Sequence, residues 1–429
     1  MGKRIIRFRT LTIVALFIIM GLNLSIPSHS SNARVQPPSL VAEGAILIDG
    51  DTGQILYEKN AHKTFYPASI TKLMTALVAS KSLDPSDTIT FSRNAVLSIE
   101  FGSSHIGMRE GETISVEAAM HGLLMSSAND VANGIAEKTS GSIEAFAETM
   151  TAEAKALGAK NTHFVNPHGL QNEDQYTTPY DMALIMKAIL SNQFLIDVMG
   201  KTLYEIQPTN KVDEVRYLAQ GHKMINERKD VNIYREDVIA GKTGYTTSSG
   251  HTLVTVSRKD GRTLIAVTLK TNAAHLYSDT NKLFDYGYDA FEAIELQPSD
   301  YTQNLPVMKD GAVIGIGKAG LSILKPVHVL LKAGQSKENI TFDATLPEAL
   351  TEEVSMHQEV GRLVLSIGGE TIGDWPLEIT ELEYDDIGHQ PIEENLEKKE
   401  FRMIEVIKFF ILIGTIIIVI KTSSFGKFH

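Results

Sequence analysis

The chain has 429 residues, 43% of them hydrophobic and 21% charged, an ordinary globular composition with room for two or three domains. A formal net charge of −12 argues against nucleic acid, whose binding needs a basic surface to displace counterions. The absence of cysteine excludes disulfides, thiolate metal sites and a cysteine nucleophile.

At the N-terminus, Lys3, Arg4, Arg7 and Arg9 precede an apolar run from Leu11 to Ile26. Pro27 ends the run, and small polar residues follow up to Ser31-Asn32-Ala33. Charged, apolar and small residues in that order predict a secretory signal over residues 1–33, cleaved after Ala33. The alternative is a retained N-terminal anchor. Under both readings the bulk of the chain leaves the cytoplasm.

Gly44–Asp49 and Gln54–Tyr57 flank Asp51-Thr52-Gly53, which is hairpin turn chemistry. After Pro67, the spacing of Leu73, Ala76, Leu77 and Ser80 predicts an amphipathic helix. Met120 to Ile135 also reads as helix, and Arg262 to Leu269 alternates branched apolar residues as a strand does. Helices and strands are mixed without a regular parallel repeat, so the fold class is α+β over residues 41–290. From Leu296 short alternating segments dominate: His328–Leu331, Ile340–Phe342, and Leu363, Leu365, Ile367 against Arg362, Val364, Ser366. These predict a small all-β domain over 296–380, with a hairpin turn at Gly368-Gly369.

An acidic linker and the start of an amphipathic helix are expected over 381–402, then a C-terminal membrane anchor over 403–421. Phe409 to Ile420 holds no charge but is shorter than the roughly 20 residues of a spanning helix. Lys408 sits where it can snorkel and lengthen the apolar span.

Three short motifs stand in order: Ser69-Ile70-Thr71-Lys72, Ser127-Ala128-Asn129 and Lys242-Thr243-Gly244. Each alone is weak, because Ser322–Lys325 fits the first pattern and Ser30–Asn32 fits the second. Pro326 keeps Ser322 from starting a helix, and Ser30 lies in the signal. Ser69 instead opens an apolar helix with Lys72 one turn on, and its hydroxyl meets the positive end of the helix dipole. A serine hydroxyl needs an adjacent base. Lys72 serves only if burial or a nearby cation lowers its pKa, and Lys242 supplies such a cation. Ser127 is placed to relay a proton to the leaving amine, and Asn129 to hold a substrate amide.

This motif order is the signature of penicillin-binding proteins and class A β-lactamases. The wider sequence resembles the D-alanyl-D-alanine carboxypeptidases of the peptidase S11 family. The resemblance rests on Asp51-Thr52-Gly53, Pro67–Met74, Leu123–Asp130, Asn166–Leu170, Tyr180–Ala183 and Gly241–Thr246, across about residues 41–290. It implies a β-lactamase/transpeptidase-like core, and the β domain and C-terminal anchor also suit the family. It implies hydrolysis of peptidoglycan stem peptides ending in D-Ala-D-Ala, acylation by β-lactam antibiotics, and no cofactor. Catalysis falls to Ser69, Lys72 and Ser127, and substrate binding to Asn129, Lys242, Thr243 and Gly244. The oxyanion hole is formed by the backbone N–H groups of Ser69 and Tyr245, with Thr243 near the terminal carboxylate.

Two positions depart from the family pattern. Gln175 stands where many relatives have histidine, and His275 lies where an arginine is expected to hold the carboxylate. None of the 13 histidines makes an H-x-x-x-H or H-x-H pair, so no metal site is expected. Two rival functions remain. A class A β-lactamase would carry a deacylating glutamate with asparagine four residues on, and no such pair lies between Asn129 and Lys242. A non-catalytic wall-binding protein would have no need of the full Ser69, Lys72, Ser127, Asn129, Lys242 set.

Overall fold

The computed structural model describes residues 35–322 and 324–384. The signal at 1–33, the anchor at 403–421 and residues 385–402 of the linker lie outside them. Contacts divide the chain into two compact units. The first holds the described residues up to Gln297, with Leu324–Ala344 and Arg362–Trp375. The intervening segments and the described residues from Pro376 on form the second. Two segments of the expected 296–380 domain thus group with the first unit.

The first unit is built on a five-stranded sheet in which β1 (Gly44–Asp49) pairs antiparallel with β2 (Ile55–Lys59) as the expected hairpin. A 3-10 turn at Ala68–Thr71 runs into α1 (Lys72–Ser80). The small ladder of β3 (Thr88–Thr90) with β4 (Thr113–Ser115) flanks α2 (Arg93–Leu97). Then come α3 (Val116–Met125), α4 (Asn129–Ser140), α5 (Ile143–Ala156), α6 (Pro179–Ile189) and α7 (Gln193–Gly200). A second ladder, β5 (Leu203–Ile206) with β6 (Arg216–Ala219), precedes β7 (Val238–Thr246), β8 (Gly250–Lys259) and β9 (Arg262–Thr271). The sheet order is β2-β1-β9-β8-β7, which leaves β7 on an edge, and α8 (Leu276–Ala290) follows.

Side-chain alternation explains the layers. On β1 and β9, Ile46, Ile48, Ile265, Val267 and Leu269 enter one core with α1 and α3–α7. Ala45, Leu47, Leu264 and Ala266 enter the other, against Leu283, Phe284 and Tyr286 of α8. All six residues of β1 are buried because both faces are covered, which is why Gly44–Ile48 form a continuous apolar run before Asp49. β10 (Phe291–Leu296) pairs with β13 (Val327–Lys332), and the Gln54 amide both donates to and accepts from the Leu330 backbone.

In the second unit, β12 (Ala312–Leu321) pairs antiparallel with β11 (Thr302–Lys309) and with the distal part of β17 (Glu370–Tyr384). β15 (Leu350–Thr351) adds parallel to β11, over a core of Leu305, Val307, Ala319, Leu350, Val354 and Ile379. In the segments that group with the first unit, β14 (Ile340–Thr345) neighbours β16 (Glu359–Ile367), which turns into β17 through Gly368 and Gly369. Both glycines have positive φ, as that tight turn requires. β17 continues to Tyr384, so the first four residues expected as linker belong to a strand. Among the described residues no single helix is long and apolar enough to cross a membrane.

The expected Met120–Ile135 helix is divided. α3 ends at Met125, α4 starts at Asn129, and Ser127 between them has φ +60°. Helical periodicity on both sides masks a break that only three residues make. It is also where the second motif lies.

Candidate active site

Ser69 lies on the 3-10 turn that leads into α1. In 3-10 geometry residues three apart eclipse, so the turn sets Lys72 directly beside Ser69, with Nζ 3.1 Å from Oγ. Lys72 is fully buried. Its Nζ also donates to Asn129 Oδ1 and to the His168 carbonyl, each at 2.7 Å. Burial and then the Lys242 charge hold the Lys72 pKa well below the usual lysine range, against the opposing pull of Asp130.

Lys242 comes from β7, as expected of a residue outside the helix. Its Nζ lies 3.1 Å from Ser127 Oγ, and burial pushes it down to about 7. The three motifs therefore meet: Ser69 with Lys72, Lys72 with Asn129, and Lys242 with Ser127. A cavity of about 720 Å³ opens over them, lined by Ser69, Ser127, Asn129, Thr243, Gly244 and Tyr245 among others.

Close approach explains Gly244. A Cβ there would lie 2.8 Å from Ser69 N, so only glycine lets β7 lie against the Ser69 backbone. The Thr246 N–H donates to Ser249 Oγ within the β7–β8 turn, at 2.9 Å. Successive N–H groups of a strand face opposite edges, so that of Tyr245 faces the free edge. Ser69 and Tyr245, the residues of the two expected donors, both line the cavity.

His168 contributes its carbonyl, while burial pushes its ring pKa down to about 3. His275 stands just before α8 without a side-chain capping bond, and its Nδ1 meets Asn272 Oδ1 at 2.9 Å. Lys223 is the lysine that lines the cavity, with Asp230 at 3.2 Å. Among the described residues no three His, Asp or Glu side chains cluster as metal ligands.

Gln175 is the residue the motifs do not reveal. Its Oε1 accepts from the Val165 and Asn166 N–H groups, both at 3.0 Å, and its Nε2 donates to Asn166 Oδ1 at 3.1 Å and Thr71 Oγ1 at 3.3 Å. Asn166 in turn accepts from Gly169 N at 2.7 Å. A Cβ at Gly169 would overlap the Ala68 carbonyl. Gln175 therefore clamps the turn carrying the His168 carbonyl onto the Ser69 turn. The sequence signal was its departure from the family pattern, which marked the position without its role.

A serine at a cavity with a buried lysine beside it and a second buried lysine behind, on an antiparallel sheet enclosed by helices, defines the penicillin-binding, transpeptidase-like class of serine hydrolases. Residues 31–273 match Peptidase S11, D-alanyl-D-alanine carboxypeptidase, and the chain belongs to that family. The chain is 30% identical over 343 residues to D-alanyl-D-alanine carboxypeptidase DacF of Bacillus subtilis, covering 78% of this chain and 84% of that one. It is 27% identical over 382 residues to DacD of Escherichia coli, covering 86% and 94%. Penicillin binding protein 5 of Haemophilus influenzae shares the fold, with a TM-score of 0.66 at 24% identity, over 82% of this chain and all of that one.

Replacing Gln175 by alanine removes the clamp from two partly buried N–H groups and loosens the His168 carbonyl. Acylation by a fluorescent penicillin is expected to slow about 10- to 100-fold, the cost of misplacing a reacting group by roughly 1 Å. An unchanged acylation rate would show that the turn keeps its place without Gln175.

Proposed function

We propose that this protein is a serine carboxypeptidase that removes the terminal D-alanine from peptidoglycan stem pentapeptides through an acyl-enzyme. One observation carries the reading. A neutral Lys72 amine has two N–H donors, and two pure acceptors, Asn129 Oδ1 and the His168 carbonyl, stand at 2.7 Å. Its lone pair is then left for the Ser69 hydroxyl at 3.1 Å.

In the proposed mechanism Ser69 Oγ attacks the scissile carbonyl as Lys72 takes its proton. The Ser69 and Tyr245 N–H groups stabilise the oxyanion. Lys242, with Thr243 and Gly244, receives the substrate carboxylate, and the free amide nitrogen of Asn129 holds the substrate amide. Ser127 relays the proton that Lys72 took from Ser69 to the leaving D-alanine nitrogen, which breaks the peptide bond, leaves the acyl ester on Ser69 and returns Lys72 to its neutral form. Water then attacks the ester as Lys72 takes its proton, and that proton passes to Ser69 Oγ as the ester C–O bond breaks and the shortened peptide leaves as its carboxylate. A β-lactam follows the same acylation path and stays attached.

The names of the relatives support the substrate class. Outside the described residues, the patterns of 1–33 and 403–421 support export and anchoring at the outer face of the membrane. The strands between 296 and 380 support an accessory β domain.

D-Alanine release from a pentapeptide, and a covalent penicillin adduct on Ser69, are both expected, with Ser69→Ala abolishing each. Mass spectrometry that finds the adduct on another residue refutes the assignment.

The pH profile follows from the two lysines. Lys72 gives up its proton first and must be neutral, so activity rises with pH as it deprotonates. Lys242 must be charged, and in the free enzyme it loses its proton near pH 7. Hence kcat/KM should fall above about 7, since it reports the free enzyme. In contrast, kcat should hold to higher pH, because a bound carboxylate keeps Lys242 protonated. A kcat that falls together with kcat/KM contradicts the role of Lys242.

A further inference from the structure

β7 is the outer strand of its sheet, so its free edge can take a peptide as an added strand. Under the mechanism proposed above, the substrate carboxylate lies at Lys242-Thr243 and the scissile carbonyl at Tyr245. The carbonyl precedes the carboxylate in the peptide, so the peptide runs antiparallel to β7. The residues upstream of the cut then pass Tyr245 and head for Thr246 and the turn that follows.

A second cavity of about 540 Å³ opens at that turn. Thr246 and Thr247 line the catalytic cavity, and the next residue, Ser248, lines this one. Ser248 stands three residues past Tyr245, in the turn between β7 and β8. In a stem pentapeptide the first of the two D-alanines and three further residues, four in all, stand between the scissile carbonyl and the amino sugar, or about 13 Å of extended chain. Those residues run toward the turn where the second cavity opens.

The lining fits a sugar ring. Tyr66 and Tyr176 supply aromatic surface, while Asn161 and Ser248 supply an amide and a hydroxyl. An aromatic face combined with a few convergent polar groups suits a ligand with one apolar face and a polar edge. Tyr176 is 37% exposed, and its ring stacks on His163 with centroids 5.9 Å apart, which fixes its orientation. The charges favour a neutral ring over an anion. Lys63 and Lys270 border the cavity, and Glu43 sits 3.8 and 3.3 Å from them.

We propose that this second cavity is a subsite for the amino sugar that bears the stem peptide, so that glycan-linked substrate binds better than free peptide. The proposal rests on the carboxypeptidase reading for the direction of the bound peptide. The test is equilibrium binding to the full chain carrying Ser69→Ala, which removes turnover. N-acetylmuramyl-pentapeptide should bind about 3- to 10-fold tighter than the same free pentapeptide, the range that an aromatic contact supplies. Adding Tyr176→Ala should erase that difference without weakening the free peptide, and Tyr176→Phe should restore it. Equal affinities for the two ligands before any change at Tyr176, or a Tyr176→Ala loss shared equally by both, would overturn the subsite. D-Alanine release from free pentapeptide by the parent protein is read separately. Failure there counts against the carboxypeptidase reading, and the two affinities still decide the subsite.

Discussion

Two lysine side chains buried side by side cannot both stay charged without a large cost in free energy. The arrangement of the active site follows from that constraint. Lys72 and Lys242 are almost wholly removed from water, and a proton on one disfavours a proton on the other. Burial and then the Lys242 charge hold the Lys72 pKa well below the usual lysine range, and under the proposed mechanism Lys72 is the one that gives up its proton. Asn129 and the His168 carbonyl then fix how the neutral amine is turned, and the lone pair is left for Ser69. Gln175, Asn166 and Gly169 exist in this arrangement to hold one carbonyl in place.

Bringing the groups together costs backbone strain. Ala68 and Ser127 both have positive φ without being glycine, a conformation worth about 1–3 kcal/mol each. The strain falls next to Ser69 and on Ser127, the proposed nucleophile and proton relay, where position matters most. The two-sided core supports it: β1 and β9 are packed on both faces, and α1 is buried along nearly its whole length. A rigid scaffold of this kind can hold strained residues that a loose one would relax.

Much of this was legible in the sequence because the signals were local. The hairpin around Asp51-Thr52-Gly53, the helix after Pro67, the Gly368-Gly369 turn and the three motifs depend on residues close in the chain. The break at Ser127 was hidden because helical periodicity continues on both sides of it. The His168 contribution was hidden for a different reason: a backbone carbonyl leaves no mark in a side-chain pattern. Gln175 joins Val165, Asn166 and Thr71, and 104 residues separate it from the last, so its role appears only once the chain is folded. The grouping of segments 324–344 and 362–375 with the first unit is likewise a matter of long-range packing.

The central claim is that Lys72 is neutral when Ser69 attacks. It is tested most directly by NMR titration of the protein labelled with ¹³C at lysine Cε, with Lys72 assigned by comparison with Lys72→Arg. The account predicts a Lys72 resonance that titrates well below the ordinary lysine value of about 10.4, and at lower pH than that of Lys242. A Lys72 that titrates at the ordinary value, or after Lys242, would contradict it.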